Sequence, residues 1–317
     1  MLFQVVLLIL GFILLIKGAD WLVSGSTALA KKFNISDLAI GLTIVAFGTS
    51  APELIVGIVA SNGGHNGIVL GNVIGSNIFN LFFILGITGV IVPLAVQSST
   101  VKFEIPISFL AVGVLFVVGN DFLCDQMIIS TWEGIVLIAM FLLFLVYVYG
   151  QMKNDISQTE IKQTPFSTFK ISAFIILGLG GLIGGGKMVV DNAVLIASSL
   201  GMSERLIGLT IIAAGTSLPE LTTSIVAALR KNNDIAVGNI IGSNIFNIFL
   251  ILGVSSVISP IQFNQGFNKD IIFLAAGTLF LLLVMFTGGR KKLDRWEALI
   301  LLMAYLGYAG FLIFQKG

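Results

Sequence analysis

The sequence predicts an all-α integral membrane protein of ten transmembrane helices, arranged as two inverted five-helix repeats. Its composition indicates the membrane, because hydrophobic residues make up 56% of the chain and charged residues only 10%. A soluble domain carries about 25% charged residues. The mean hydropathy is +1.05, and apolar runs of about the 20 residues that cross a bilayer recur along the whole chain.

Ten apolar stretches are candidate spans, five in each half of the chain. Because five is an odd number, the second half enters the membrane from the opposite side, which makes the repeat inverted. We expect a first repeat over residues 1–150, a polar cytoplasmic linker over 151–168 and a second repeat over 169–317. The candidate spans begin near Leu2, Leu38, Ile68, Ile105, Ile128, Ile171, Leu206, Ile235, Ile271 and Trp296.

Two polar, glycine-rich segments occur twice, almost letter for letter. Residues 41–54 read GLTIVAFGTSAPEL and residues 208–221 read GLTIIAAGTSLPEL. Residues 71–86 read GNVIGSNIFNLFFILG and residues 238–253 read GNIIGSNIFNIFLILG. Both pairs have the same offset (208 − 41 = 238 − 71 = 167). In a membrane chain, helices interrupted by Gly or Pro at corresponding positions of two halves point to the binding site.

The first motif places a carboxylate, Glu53 or Glu220, inside an otherwise apolar span. Such a charge is costly in a bilayer and normally faces a protein or water cavity. On an α-helix, Thr49 and Ser50 precede Glu53 by four and three residues, so we expect the three side chains to share one face. The second copy repeats this arrangement with Thr216, Ser217 and Glu220.

A proline, Pro52 or Pro219, directly precedes each carboxylate. Because proline lacks an N–H, it frees a backbone carbonyl and kinks the helix. Freed carbonyls, hydroxyls and a carboxylate together form an all-oxygen ligand set, which hard cations such as Ca²⁺, Mg²⁺ and Na⁺ prefer. The second motif adds polar side chains at i, i+4 spacing, namely Ser76 with Asn80 and Ser243 with Asn247.

These duplicated motifs resemble the α-repeats of the calcium/cation antiporter superfamily, and most closely those of prokaryotic sodium/calcium exchangers and related inner-membrane proteins. The resemblance covers essentially the full length. It implies a secondary active antiporter, not an enzyme, which exchanges Ca²⁺ for Na⁺ across the cell membrane by alternating access. In this mechanism the first and sixth spans slide over the other helices. No cofactor is implied, since Ca²⁺ and Na⁺ are the transported ions, and no obligatory protein partner is evident.

The resemblance also implies cation ligands from both repeats, with Glu53 and Glu220 bridging a central Ca²⁺. Asn247 stands where these exchangers usually carry Asp, which leaves two formal negative charges instead of three. Coupling to H⁺ or K⁺ instead of Na⁺ therefore stays open, and a passive cation channel is a less favoured alternative. The implied ligands are the carbonyls of Ala46 and Ala213 and the side chains of Thr49, Ser50, Glu53, Ser76, Asn80, Thr216, Ser217, Glu220, Ser243 and Asn247.

Basic residues predict the orientation in the cell (inner) membrane. If the N-terminus lies outside, twelve Lys and Arg residues fall in inner loops and three in outer segments, a strong positive-inside bias. Both termini then lie outside and the linker is cytoplasmic. The one cysteine, Cys124, falls in the outer loop between the fourth and fifth spans. The lipid bilayer is the expected environment, and no basic, aromatic-interleaved stripe indicates a nucleic-acid partner.

Overall fold

The structure is a computed structural model of the chain. It describes residues 2–33, 35–120, 127–154, 166–199, 213–287 and 291–315. Three predictions fall largely outside these residues, and they concern the 151–168 linker, the loop with Cys124 and the beginning of the span near Leu206.

Helices make up almost all of the described residues. The α-helices are α1 (Leu2–Phe33), α2 (Asp37–Ile40), α3 (Ala46–Thr49), α4 (Ala51–Asn62), α5 (Asn66–Ile78), α6 (Leu85–Ile91), α7 (Ile105–Asn120), α8 (Thr131–Asn154), α9 (Thr168–Ser199), α10 (Ala213–Thr216), α11 (Leu218–Leu229), α12 (Asn233–Ile245), α13 (Gly253–Ile258), α14 (Asn268–Val284) and α15 (Arg295–Gln315). The wider π-helical segments are π1 (Gly41–Val45), π2 (Phe79–Ile84), π3 (Thr100–Glu104) and π4 (Phe246–Leu252), and a 3₁₀ turn covers Gln265–Phe267. The short strands are β1 (Leu94–Ala95), β2 (Ile128–Ile129), β3 (Ile261–Gln262) and β4 (Lys292–Leu293).

The described helices agree with a protein that crosses a membrane several times. Seven continuous helical stretches, several of them made of consecutive α and π or 3₁₀ segments, are long and apolar enough to span a bilayer. An eighth span results if the bent pair Asp37–Thr49 and Ala51–Asn62 is one crossing. The predicted seventh span corresponds to the short apolar helix Leu218–Leu229 and to residues outside the described ranges. The predicted tenth span corresponds to α15. The all-helical membrane class is thus confirmed, while the count of ten stays a prediction.

The distribution of side chains is that expected in lipid. Large apolar side chains such as Leu143, Ile176 and Leu283 are exposed on the long helices. Polar side chains such as Thr88 and Ser255 are completely buried. Polar groups are costly in hydrocarbon, so they collect in the protein interior, while apolar side chains face the acyl chains.

The chain forms two compact units, and each unit draws on both sequence repeats. The first consists of Met1–Pro52 and Leu145–Asn239, and the second of Glu53–Phe144 and Ile240–Gly317. The predicted boundaries at residues 150 and 169 describe the sequence duplication and stay a prediction.

In the first unit, α1 packs antiparallel against α9 through glycines. Gly11 lies against Gly185, and Gly18 lies against Gly178. A Cβ atom on Gly18 would come within 2.7 Å of the backbone nitrogen of Leu182, which is closer than packed atoms tolerate. Small residues at such positions allow membrane helices to approach backbone to backbone.

Polar contacts also join α1 to the end of α11 in this unit. Arg230 forms an ion pair with Asp20 of α1. Asn232 donates hydrogen bonds to Thr27 Oγ1 at 3.1 Å and to Asp37 Oδ2 at 3.0 Å. The start of α2, the end of α11 and α1 are therefore tied together.

In the second unit, two strand pairs reproduce the sequence duplication. β1 pairs antiparallel with β4, with Leu94 opposite Leu293, and β2 pairs antiparallel with β3, with Ile129 opposite Ile261. Leu94 and Ile261 are related by the 167-residue offset (261 − 94 = 167), and Ile129 and Leu293 by a similar one (293 − 129 = 164). Each pair joins one strand from each repeat, and exchanging the repeats converts one pair into the other.

Two equivalent helices of this unit begin with the same capping interaction. Glu133 Oε2 accepts hydrogen bonds from the Ser130 backbone nitrogen at 2.7 Å and from its hydroxyl at 2.8 Å, at the start of α8. Glu297 Oε2 accepts a bond from the Asp294 backbone nitrogen at 2.8 Å, at the start of α15. Such capping boxes satisfy backbone donors that the first helical turn leaves unpaired.

Candidate cation site

The first motif ends one helix and starts another. α3 ends at Thr49 and α4 begins at Ala51, and the helices on the two sides of this break are bent by 47°. The kink predicted at Pro52 is therefore present as a break between two helices, and Thr49 and Glu53 do not lie on one uninterrupted helix. The physical reason is Pro52, because its missing N–H is tolerated in the first turn of a new helix but not in a helix interior.

The second copy of the motif behaves in the same way. α11 begins at Leu218, with Ser217 as its N-cap residue and Pro219 in its first turn. Glu220 lies in the first turn of α11, as Glu53 lies in the first turn of α4. The unpaired N–H groups and the dipole at a helix N-terminus stabilise negative charge. Both acids therefore occupy positions at which the helix favours a carboxylate.

In the first unit, hydroxyl groups of the first repeat contact polar groups of the second. The Ser50 hydroxyl donates a hydrogen bond to Glu220 Oε1 at 2.9 Å, and both side chains are buried. The Thr49 hydroxyl lies 3.0 Å from Asn239 Oδ1, and Asn239 Nδ2 donates to Ser224 Oγ at 3.0 Å. The result is a buried, oxygen-rich cluster that includes a carboxylate.

The second motif runs from an α-helix into a π-helical segment in both copies. Ser76 lies on α5 and Asn80 is the second residue of π2, while Ser243 lies on α12 and Asn247 is the second residue of π4. π2 and π4 begin one repeat offset apart (246 − 79 = 167). Short π-helical turns inside α-helices occur frequently at functional sites, and here the distortion itself is duplicated.

In the second unit, these segments contain four buried asparagines, Asn77, Asn80, Asn244 and Asn247. Asn247 Nδ2 donates to Asn77 Oδ1 at 3.1 Å, and Asn244 Nδ2 lies 3.4 Å from the Asn77 carbonyl oxygen. Among the described residues, neither polar atom of the Asn80 side chain has a hydrogen-bond partner. Burying an amide without a hydrogen bond costs free energy. A cation bound to the Asn80 oxygen would offset part of this cost.

The predicted ligands divide between the two units, and each unit receives ligands from both repeats. The Ala46 carbonyl accepts a hydrogen bond from the Ser50 backbone nitrogen at 3.0 Å. Thr216 is partly buried, and Ala213 is the first residue of α10. The other predicted ligands are all buried, and they are Ala46, Thr49, Ser50, Glu53, Ser76, Asn80, Ser217, Glu220, Ser243 and Asn247.

Sequence reasoning assigned no role to the first asparagine of the second motif. Asn72 Nδ2 donates to the Glu53 carbonyl oxygen at 3.1 Å, and Asn239 Nδ2 lies 3.4 Å from the Glu220 carbonyl oxygen. The second motif thus supports the backbone at the carboxylate of the first motif in both repeats. The sequence did contain a signal for these residues, because an asparagine recurs at the same position of both copies within apolar helices. The same signal was available for Asn77.

The helices and the buried side chains together define the class of this protein. Carboxylate, amide and hydroxyl oxygens inside a bundle of apolar helices suit hard cations. Ionisable residues within membrane spans mark ion pathways by default. The class is that of a helical membrane transport protein for cations.

Residues 3–150 and 170–314 match the family model of the sodium/calcium exchanger protein. The chain belongs to this family, and the resemblance inferred from the duplicated motifs is confirmed.

Similar proteins match most or all of the chain in sequence, and one solved structure matches it in fold. The putative antiporter CaxA of Alkalimonas amylolytica is 41% identical over 100% of both chains. The inner membrane protein YrbG of Escherichia coli is 36% identical over 89% of each. A structure of the sodium-calcium exchanger NCX_Mj superimposes with a TM-score of 0.82 at 35% identity and covers 96% of each chain. The chain is therefore a membrane protein of the exchanger fold.

Proposed function

We propose that this chain is a secondary active antiporter that exchanges Ca²⁺ for Na⁺ across the cell (inner) membrane. One observation carries the proposal, namely the buried Glu220 carboxylate, which lies at a helix N-terminus and accepts a hydrogen bond from Ser50 of the other repeat. Membership of the sodium/calcium exchanger family supports it, as does the similarity to NCX_Mj, a structure of which was determined after soaking with Na⁺ and Ca²⁺.

The proposed architecture is ten transmembrane helices in two inverted repeats. The strand pairs β1–β4 and β2–β3 support it, because each joins the repeats and one is the counterpart of the other. The repeated breaks before α4 and α11 and the repeated π2 and π4 segments support it as well. We further propose that both termini lie outside and that the linker over 151–168 is cytoplasmic.

The proposed ligands are the twelve positions predicted from the motifs, from Ala46 to Asn247. Glu53 and Glu220 provide two negative charges, which one Ca²⁺ or two Na⁺ ions neutralise. Two carboxylates without a counter-cation are unfavourable in a site of low dielectric constant. A site that holds either ion therefore switches between its inward-facing and outward-facing states more easily than an empty site. This difference couples the Ca²⁺ flux to the Na⁺ flux.

Alternating access would involve α1 and α9, the first and sixth predicted spans. Their contact through Gly11, Gly18, Gly178 and Gly185 leaves no room for side chains. Helices joined this closely shift more easily as a pair over their neighbours than against each other, since packed interfaces resist continuous deformation.

The test is ⁴⁵Ca²⁺ uptake by proteoliposomes that contain the purified protein. We expect uptake to require an outward Na⁺ gradient, and Glu53→Gln or Glu220→Gln to nearly abolish it, because Gln keeps the volume but removes a charge. Both variants should still be extracted as folded protein. Uptake driven by K⁺ or H⁺ alone would show that this ion, and not Na⁺, is coupled to Ca²⁺. Uptake without any counter-ion would indicate a channel. Near-normal uptake by either variant would refute the assignment of the carboxylates.

A further inference from the structure

The NH₂ end of the Asn247 amide contacts Asn77. Asn247 Nδ2 donates a hydrogen bond to Asn77 Oδ1 at 3.1 Å, and both side chains are buried, with exposures of 1% and 0%. Asn247 Oδ1 is also buried, and it has no hydrogen-bond partner among the described residues. The NH₂ end of this amide is therefore committed, and its oxygen is the end that remains for another ligand.

The two ends of an amide have opposite effects on a cation. The NH₂ group carries two donors and repels a cation, whereas the carbonyl oxygen is a regular ligand of Ca²⁺. Donation from the NH₂ group also polarises the amide and strengthens the negative end at its oxygen. The orientation of Asn247 thus decides whether a neutral side chain attracts or opposes a bound cation.

Among the described residues, the hydrogen bond that Asn247 donates to Asn77 has no counterpart at Asn80. The counterparts of Asn77 and Asn247 under the 167-residue offset are Asn244 and Asn80. Within the described residues the Asn80 amide has no hydrogen-bond partner, and Asn244 Oδ1 has none either. The hydrogen bond between Asn77 and Asn247 is therefore formed at one of the two equivalent positions and is not an automatic result of the duplicated sequence.

We propose that Asn77 is a positioning residue, which turns the oxygen of Asn247 toward the transported cation and thereby raises the affinity for Ca²⁺. This proposal rests on the proposed function, because it assumes that Asn247 is a cation ligand. Asn77 itself need not touch the ion.

The experiment measures KM and the maximal rate of ⁴⁵Ca²⁺ uptake for Asn77→Ala and Asn77→Asp. We expect Asn77→Ala to raise KM about tenfold, the scale of one hydrogen bond, and to change the maximal rate much less. Asn77→Asp keeps an acceptor for Asn247 Nδ2, so its KM should not rise. The matched control is Asn268→Ala, which breaks a similar amide pair with Asn120 (2.9 and 2.8 Å) away from the predicted ligands; its KM should be unchanged.

The decisive comparison introduces Asn77→Ala into an Asn247→Asp background. An aspartate has oxygen at both ends, so its orientation no longer matters, and the effect of Asn77→Ala on KM should nearly disappear. An equal effect in both backgrounds would show that Asn77 has a merely structural role, and an unchanged KM in the single variant would also overturn the proposal. Titration calorimetry of Ca²⁺ binding to the purified protein requires no transport. It therefore tests the role of Asn77 in Ca²⁺ affinity even if the proposed exchange function fails.

Discussion

The hydrogen bond between Ser50 and Glu220 joins side chains 170 positions apart in the chain. Ser50 belongs to the turn that ends α3, and Glu220 to the first turn of α11. The carboxylate thus receives support from its own helix N-terminus and from a hydroxyl of the other repeat. A carboxylate held by fixed donors is prepared for a cation without rearrangement of its surroundings.

Removing the Ser50 hydroxyl tests how much this support contributes. Hydrogen bonds to charged groups contribute about 1.5–3 kcal/mol, so we expect Ser50→Ala to raise the KM for Ca²⁺ about tenfold or more. Ser61→Ala is the control, because Ser61 lies on α4, is also buried and has a hydroxyl without a hydrogen-bond partner among the described residues. Equal KM values for the two variants in ⁴⁵Ca²⁺ uptake would contradict this role of Ser50.

Asn247 determines the charge balance of the proposed site. With Glu53 and Glu220 as its two acids, three bound Na⁺ would leave a charge of +1 in a poorly solvated cavity, and removing an ion from water costs several kcal/mol. We therefore predict a tendency toward electroneutral exchange, with a weakly bound third Na⁺. Asn247→Asp should change the pH dependence of exchange, because three nearby carboxylates titrate as a coupled set.

The measurement is ⁴⁵Ca²⁺ flux at a series of imposed membrane potentials, for the wild type and for Asn247→Asp. Little response of the wild type to voltage is the expected result. A response as strong as that of a three-for-one exchanger would show that the charge argument is wrong. A protonated aspartate is nearly isosteric with asparagine, so the variant should fold normally.

At the scale of elements, the close contact between α1 and α9 can be tested at a single glycine. Gly18→Ala places a Cβ atom 2.7 Å from the Leu182 nitrogen and 2.8 Å from the Gly178 carbonyl oxygen. Overpacking of this kind typically costs about 1–3 kcal/mol. We expect a lower midpoint of thermal unfolding for the purified protein and slower exchange.

Gly180→Ala is the matched control for this prediction. Gly180 lies on α9 as well, but it is exposed, and a Cβ atom there meets nothing within 4 Å. Alanine also has the higher helix propensity, so this variant should be at least as stable as the wild type. Equal loss of stability in the two variants would mean that the glycines serve helix flexibility and not the contact between α1 and α9.

At the scale of the whole molecule, the orientation in the membrane is open to a direct test. The excess of basic residues predicts that the polar stretch over 151–168 is cytoplasmic. A protease site engineered into this stretch should be cut only from the inner side, and an impermeant thiol reagent should label Cys124 from outside if the loop is accessible. Cleavage in intact spheroplasts would reverse the predicted orientation.

The sequence by itself determined the class of the molecule and predicted the positions of its chemistry. Composition was sufficient for the membrane, since each apolar span carries the signal within itself. The duplicated motifs were sufficient for the family, and they predicted Glu53 and Glu220 as site residues, because a carboxylate in an apolar span is conspicuous. These are local properties of the chain, and the structure adds little to them.

Only the tertiary structure decided how the motifs are used. The π-helical turns at Asn80 and Asn247 interrupt helices that helical periodicity alone predicts to be regular, so periodicity does not contain this information. The contacts of Ser50 with Glu220 and of Asn77 with Asn247 join residues 170 positions apart. Such contacts depend on packing between distant segments, so the neighbouring sequence does not encode them.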